Sequence, residues 1–169
     1  MAIHAKPEVS DFEYFASQTL SEQLKKEGFE IELPAAGHRT GFAATYKSNK
    51  PGPTVVFLAE YDALAGLGHG CGHNVFGATS SLAGAALKSV VDRIGGEVRV
   101  YGTPGEEGWN KSGSAKGSFV KKGYLKDVDF ALCVHPGSGP EDGLSTRNYA
   151  CAPVDIEFWG KPAHAAGCP

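Results

Sequence analysis

Thr54-Val55-Val56-Phe57-Leu58-Ala59-Glu60-Tyr61-Asp62-Ala63-Leu64-Ala65-Gly66-Leu67-Gly68-His69-Gly70-Cys71-Gly72-His73-Asn74 is the stretch on which the reading of this chain turns. Its first five residues form a short apolar, β-branched run of the kind that makes a buried strand, and Val75 to Ile94 carries apolar residues at helical spacing. Between them lies a glycine-punctuated loop holding two carboxylates, two imidazoles and a thiol, a mixture no globular core needs. The loop falls at the carboxyl end of a strand, where open α/β sheets place their ligands. Cys71 and His73 are two apart, so in locally extended backbone both side chains project to one side and can reach one cation. Thiolate and imidazole together suit zinc and other borderline-soft divalent metals. The pair alone fits equally well a small buried cysteine with loop histidines satisfying carbonyls. The rest of the chain has to decide.

Downstream, the Val75 to Ile94 helix is rich in small residues that let a helix lie close on a sheet, and Gly95-Gly96 ends it. Glu97-Val98-Arg99-Val100-Tyr101 reads as the next strand. A strand, a long crossover helix and another strand make a βαβ unit and imply a parallel pair. The new strand runs into Gly102-Thr103-Pro104-Gly105-Glu106-Glu107-Gly108. Adjacent residues of extended backbone point opposite ways, so Glu106 and Glu107 are expected to do different jobs, one binding metal and the other taking a proton from water. By itself the pair also reads as a solvated acidic turn. Its place beside the strand that feeds Cys71 and His73 favours the chemical reading. After a helix expected over Ser112 to Lys122, the apolar run Val128 to Val134 is a further buried strand, with Cys133 inside it as a core residue and His135 at its end. Three separate strands that end on potential ligands are hard to explain as packing.

Upstream, Ser10 to Glu27 has the spacing of an amphipathic helix, with Ser10 as N-cap and Gly28 as stop. Phe29 to Leu33, Phe42 to Lys47 and Thr54 to Ala59 read as three strands, the last two joined by the turn-forming Ser48 to Pro53. His38, in the polar turn Gly37 to Thr40, reads as a solvated loop histidine. A length of 169 residues is enough for a real core, and a net charge of -3 offers no basic excess for nucleic acid. The partner expected is a small molecule. No apolar stretch approaches the roughly 20 residues that span a bilayer and no signal-peptide core opens the chain, so the expectation is a cytoplasmic protein without a membrane partner. The four cysteines then stay reduced.

These residues also carry a resemblance. Glu60-Tyr61-Asp62-Ala63-Leu64, His69-Gly70-Cys71-Gly72-His73-Asn74, Thr103-Pro104-Gly105-Glu106-Glu107-Gly108, Val134-His135-Pro136-Gly137 and Gly160-Lys161-Pro162-Ala163-His164-Ala165-Ala166 occur in the order seen in the aminoacylase-like metallopeptidases and amidohydrolases. The chain resembles most the branch of aminobenzoyl-glutamate hydrolase subunits, N-acyl-amino-acid hydrolases and auxin-conjugate hydrolases, and even His4-Ala5-Lys6-Pro7-Glu8 fits that branch. The resemblance implies an α/β fold, a mixed and mainly parallel sheet flanked by helices, followed by the start of an inserted α+β lid or dimerisation domain. The division expected is 1–147 for the amino-terminal part of the catalytic domain and 148–169 for the beginning of the lid, with Asn148 to Trp159 as its first strand.

The resemblance further implies a site of two divalent ions, zinc or else manganese or cobalt, held by Cys71, His73, Glu107 and His135. Glu106 would act as general base on the metal-activated water, Asp62 would orient the site, and His164 would steady the oxyanion in a neighbouring subunit. The role of Glu60 stays open. The implied activity is hydrolysis of the amide bond of N-acyl amino acids, aminobenzoyl-glutamate or dipeptide-like substrates, with a homodimer for the full-length protein. Relatives continue through the lid to a last histidine ligand, so this chain reads as an amino-terminal portion. Two alternatives accompany that reading: an incomplete remnant that keeps the fold and partial metal binding, and a thiol hydrolase using Cys71 as nucleophile with His69 or His73 as base.

Overall fold

The apolar runs found in the sequence become the strands of one five-stranded sheet with the order β1-β2-β4-β3-β5, where β1 is Glu30–Glu32, β2 Phe42–Lys47, β3 Thr54–Ala59, β4 Glu97–Gly102 and β5 Phe130–Leu132. The computed structural model describes residues 1–108, 114–139, 143, 154, 156–164 and 166–167. The chain divides into two units, Met1–Gly137 and Ser138–Pro169, and among the described residues the strands and helices belong to the first. β3 pairs in parallel with β4 and with β5, and β2 runs antiparallel to β1 and to β4. The α/β class and the flanked mixed sheet are as the sequence implies. The crossover between β3 and β4 is α2, His73–Ile94, and the parallel register sets Phe57 opposite Val100.

Alternation along the strands divides the core in two. Phe57, Val98 and Val100 face one side with Leu20 and Leu24 of α1 (Tyr14–Lys26) and Val91 of α2. Val56 and Tyr101 face the other, where Phe119 of α3 (Ala115–Lys121) stacks on Tyr101 with ring centroids 4.9 Å apart. The small residues of α2 matter for contact: a Cβ on Gly84 would lie 2.4 Å from Cγ2 of the fully buried Val100, and one on Gly77 would lie 2.7 Å from the Glu60 carbonyl oxygen. The helix is therefore drawn down onto β3 and β4, and its first residue reaches the strand ends.

Several local expectations are corrected. α1 begins at Tyr14 with Glu13 before it, because the Ser10 hydroxyl is used elsewhere and donates to Asp62 Oδ2 at 2.9 Å. The segment 48–53 joins β2 to β3 as expected, and β4 inserts between those two strands in the sheet. The run expected as a buried strand from Val128 shortens to β5, whose residues are exposed along with Cys133. β5 bonds to β3 on one side and forms the edge of the sheet, so its apolar character does not make it core. The start of the expected helix at Ser112 lies outside the described residues, as does most of the expected strand from Asn148, whose described residues 154 and 156–159 have no regular structure.

The same substitution at two helical glycines is expected to have opposite signs. Gly84→Ala should lower stability by about 1–3 kcal/mol by overpacking against Val100. Gly117→Ala, with nothing near its added methyl, should raise it by about 0.5–1 kcal/mol. Denaturant midpoints of the two variants check both.

Candidate metal centre

Asp62 follows β3 and is almost fully buried. Its Oδ1 accepts from His73 Nδ1 at 2.7 Å, while Oδ2 accepts from Ser10 Oγ at 2.9 Å and from the Glu107 backbone N–H at 2.8 Å. Burial opposes its charge, yet the His73 and Glu107 bonds outweigh that and hold the carboxyl below its ordinary value. His73 opens α2 directly after Gly72, which adopts φ +82, a left-handed conformation that suits glycine. A Cβ on Gly72 would also lie 3.0 Å from the Pro136 ring, so the glycine admits the segment that carries His135.

The two imidazoles are oriented by their far nitrogens. His73 Nδ1 faces the acceptor-only Asp62 carboxylate, and His135 Nδ1 lies 2.7 Å from the Pro136 carbonyl oxygen. In the neutral ring each Nδ1 therefore carries the proton and each Nε2 a lone pair. For His73, burial opposes the charged ring, but the Asp62 hydrogen bond and the charges of Asp62, Glu60 and Glu107 outweigh it and hold the imidazole above its ordinary value. Those two Nε2 atoms are 3.2 Å apart, and Cys71 Sγ lies 3.3 Å from that of His135. Metal–ligand distances of about 2.0–2.3 Å in a tetrahedral site place ligand atoms about 3.3–3.8 Å apart, close to this spacing. The thiol and the two imidazoles form one group able to hold a cation, and Glu60, His73 and Glu106 form a second.

The carboxylates come from the loop after β4. Glu106 is partly exposed, with Oε2 3.8 Å from His73 Nε2, whereas Glu107 points inward and its Oε1 is buried without a hydrogen-bond partner. The neighbouring residues thus differ in environment. Orphaned buried carboxylate oxygens beside converging nitrogen and sulfur donors fit a borderline divalent cation. His164 lies in the second unit, exposed, with its Nδ1 accepting from the Gly167 N–H at 3.2 Å.

Sequence reasoning missed three supporting residues. Glu13, wholly buried, accepts from Thr40 Oγ1 at 2.8 Å and from the Gly105 N–H at 2.9 Å, which fixes the loop just before Glu106. Lys116 of α3 forms an ion pair with the buried Glu60. His38 is not a solvated loop histidine: it is buried, with Nδ1 3.2 Å from Asp11 Oδ1 and Nε2 2.9 Å from Ser118 Oγ. Their partners lie 27 to 92 residues away in sequence, beyond any local pattern. His69 stacks on His4, with ring centroids 6.2 Å apart.

An α/β sheet whose strand ends gather thiol, imidazole and carboxylate donors has the form of a metallohydrolase domain. No family model matches the chain. It is 35% identical over 182 residues to a p-aminobenzoyl-glutamate hydrolase subunit of Escherichia coli (strain K12), covering 96% of this chain and 36% of that protein. It is 32% identical over 185 residues to Xaa-Arg dipeptidase of Mus musculus, covering 99% and 40%. Among solved structures, a dinuclear metal-binding peptidase of the M20 family from Bacillus subtilis matches with a TM-score of 0.66 and 25% identity, covering 77% of this chain and 39% of that one. The chain is similar to metallopeptidases and amidohydrolases of this kind, and it spans 36% and 40% of the length of the two curated relatives. Among the described residues no helix is long and apolar enough to cross a membrane.

Burial pushes the Glu13 carboxyl up from 4.5 to about 7, against the pull of its hydrogen bonds. A carboxyl raised in the folded state favours folding below its unfolded value and costs stability as pH rises through the folded one. The wild type should therefore lose on the order of 3 kcal/mol, at most, between pH 4.5 and 7 relative to Glu13→Gln. Urea unfolding of both proteins at several pH values measures the difference.

Proposed function

We propose that this chain carries the metal centre of an amidohydrolase that cleaves the amide bond of N-acyl amino acids, aminobenzoyl-glutamate or dipeptide-like substrates. The observation that carries the reading is the convergence of two Nε2 atoms, on His73 and His135, 3.2 Å apart beside the Cys71 sulfur. As neutral rings the two nitrogens repel, and a cation held between them removes that repulsion. Cys71, His73, His135 and Glu107 would hold two divalent ions, zinc or else manganese or cobalt. When bound, such ions acidify a water and polarise the amide carbonyl.

The chain's own residues supply the remaining work. Glu106, open to solvent at the mouth of the site, takes the proton of the attacking water and returns it to the leaving amine. Asp62 holds the His73 ring in the tautomer that presents Nε2, and its bond to the Glu107 N–H fixes the loop that carries both glutamates. His164 would steady the oxyanion from a lid domain begun at 148–169, in a homodimer of the whole protein. The substrate class rests on the names of the relatives, a p-aminobenzoyl-glutamate hydrolase subunit and an Xaa-Arg dipeptidase.

The thiol alternative finds less support. Burial, then Glu107, pushes the Cys71 thiol up to about 11, away from the thiolate a nucleophile needs. Its sulfur faces His135, whereas His73 is engaged by Asp62 and His69 is stacked on His4.

Elemental analysis of the purified chain tests the proposal. Near-stoichiometric divalent metal that Cys71→Ala and Glu107→Ala each remove is the expected result, and a metal-free wild type after incubation with zinc or manganese would overturn it. Glu106→Gln should keep the metal and lower turnover of aminobenzoyl-glutamate or N-acyl amino acids by roughly 10²–10⁴-fold.

A further inference from the structure

Glu60 sits at the carboxyl end of β3, two residues before Asp62, and its side chain is almost fully buried. Its two oxygens have different fates. Oε1 is held by the Lys116 ammonium, which reaches in from α3. Oε2 has no hydrogen-bond partner and lies 3.1 Å from His73 Nε2. With the neutral His73 ring protonated on Nδ1, that Nε2 is an acceptor facing a carboxylate oxygen in a buried site, and Glu60, His73 and Glu106 lie close enough to share one cation. His73 and His135 converge in the same way, and a cation can lie between the donors of either group. A buried carboxylate oxygen left unpaired would otherwise be costly.

Lys116 explains why the oxygen is aimed. Side-chain Nζ and Oε1 form a contact that fixes the carboxylate plane, as an outer partner fixes a ligating carboxylate. With one oxygen engaged by the ammonium, the group can offer a single oxygen to a metal. Burial raises the Glu60 carboxyl, and the Lys116 charge pulls it back towards ionisation.

We propose that Glu60 is a further ligand of the metal centre, binding a divalent cation through Oε2 at the position shared with His73 Nε2, and that Lys116 is the positioning residue that aims it. The inference rests on the metal-centre reading above and adds a donor to it. It also gives α3 a place in the site, since the helix contributes the ammonium that sets the ligand's direction.

Cobalt(II) titration of the full chain, followed by its visible absorption and by competition with a chelator, separates the possibilities. Wild type should bind with a thiolate-to-cobalt band from Cys71 and a defined d–d spectrum. Glu60→Gln should weaken binding by more than about 10-fold and change the d–d envelope, because the coordination sphere loses an anionic oxygen. Lys116→Met should weaken binding only a few-fold and leave the envelope in place. Metal-free circular dichroism checks that each variant folds. If Glu60→Gln does not fold, Glu60→His replaces one ligand by another and should bind cobalt with an altered d–d envelope. A Glu60→Gln protein with wild-type affinity and spectrum overturns the assignment while the metal-centre reading stands. Weakened binding with an unchanged spectrum also overturns it, by making Glu60 an outer partner. A wild type that binds no cobalt defeats the metal-centre reading itself.

Discussion

The Asp62 carboxylate is the joint on which the site depends. Taking a charged group out of water is expensive, and the cost is offset only when strong donors surround it. Here the donors come from three separate parts of the chain: the Ser10 hydroxyl before α1, the His73 ring at the start of α2 and the Glu107 N–H after β4. One buried anion therefore fixes an imidazole's tautomer and ties down the loop that carries both glutamates. Glu13 repeats the device one step outward by binding the Gly105 N–H and the Thr40 hydroxyl.

Around that joint the chain assembles more acceptors than it can satisfy itself. Glu60 Oε2 and Glu107 Oε1 are buried without hydrogen-bond partners, and the Nε2 atoms of His73 and His135 converge to 3.2 Å. A fold meant only to be stable would not collect them. The sheet makes the gathering possible because parallel β3, β4 and β5 all release the chain at the same end, and the glycine at position 72 lets Pro136 come close. The similarity to a dinuclear metal-binding peptidase and the surplus of acceptors both support the proposed chemistry.

Much of this is legible in the sequence because it is local. Apolar runs ending on Glu60, Glu106 and His135 mark strands that deliver polar groups, and the helical spacing after Asn74 marks the crossover. The choice of thiol, imidazole and carboxylate names the chemistry. What local pattern misses is long-range. Ser10 reads as a cap and is a partner of Asp62; His38 reads as solvated and is buried between Asp11 and Ser118; Cys133 reads as core and lies exposed beyond the edge strand.

The sequence by itself determined the elements, the parallel βαβ unit and the residue types at the strand ends, since these follow from side-chain period and composition over short windows. Only the tertiary structure decided that β4 inserts between β2 and β3, that Lys116 meets Glu60 and that Glu13 braces the loop bearing Glu106 and Glu107. Those contacts join residues far apart in the chain. They are chosen by which surfaces bury together and which buried charges find donors, and no window of sequence contains both partners.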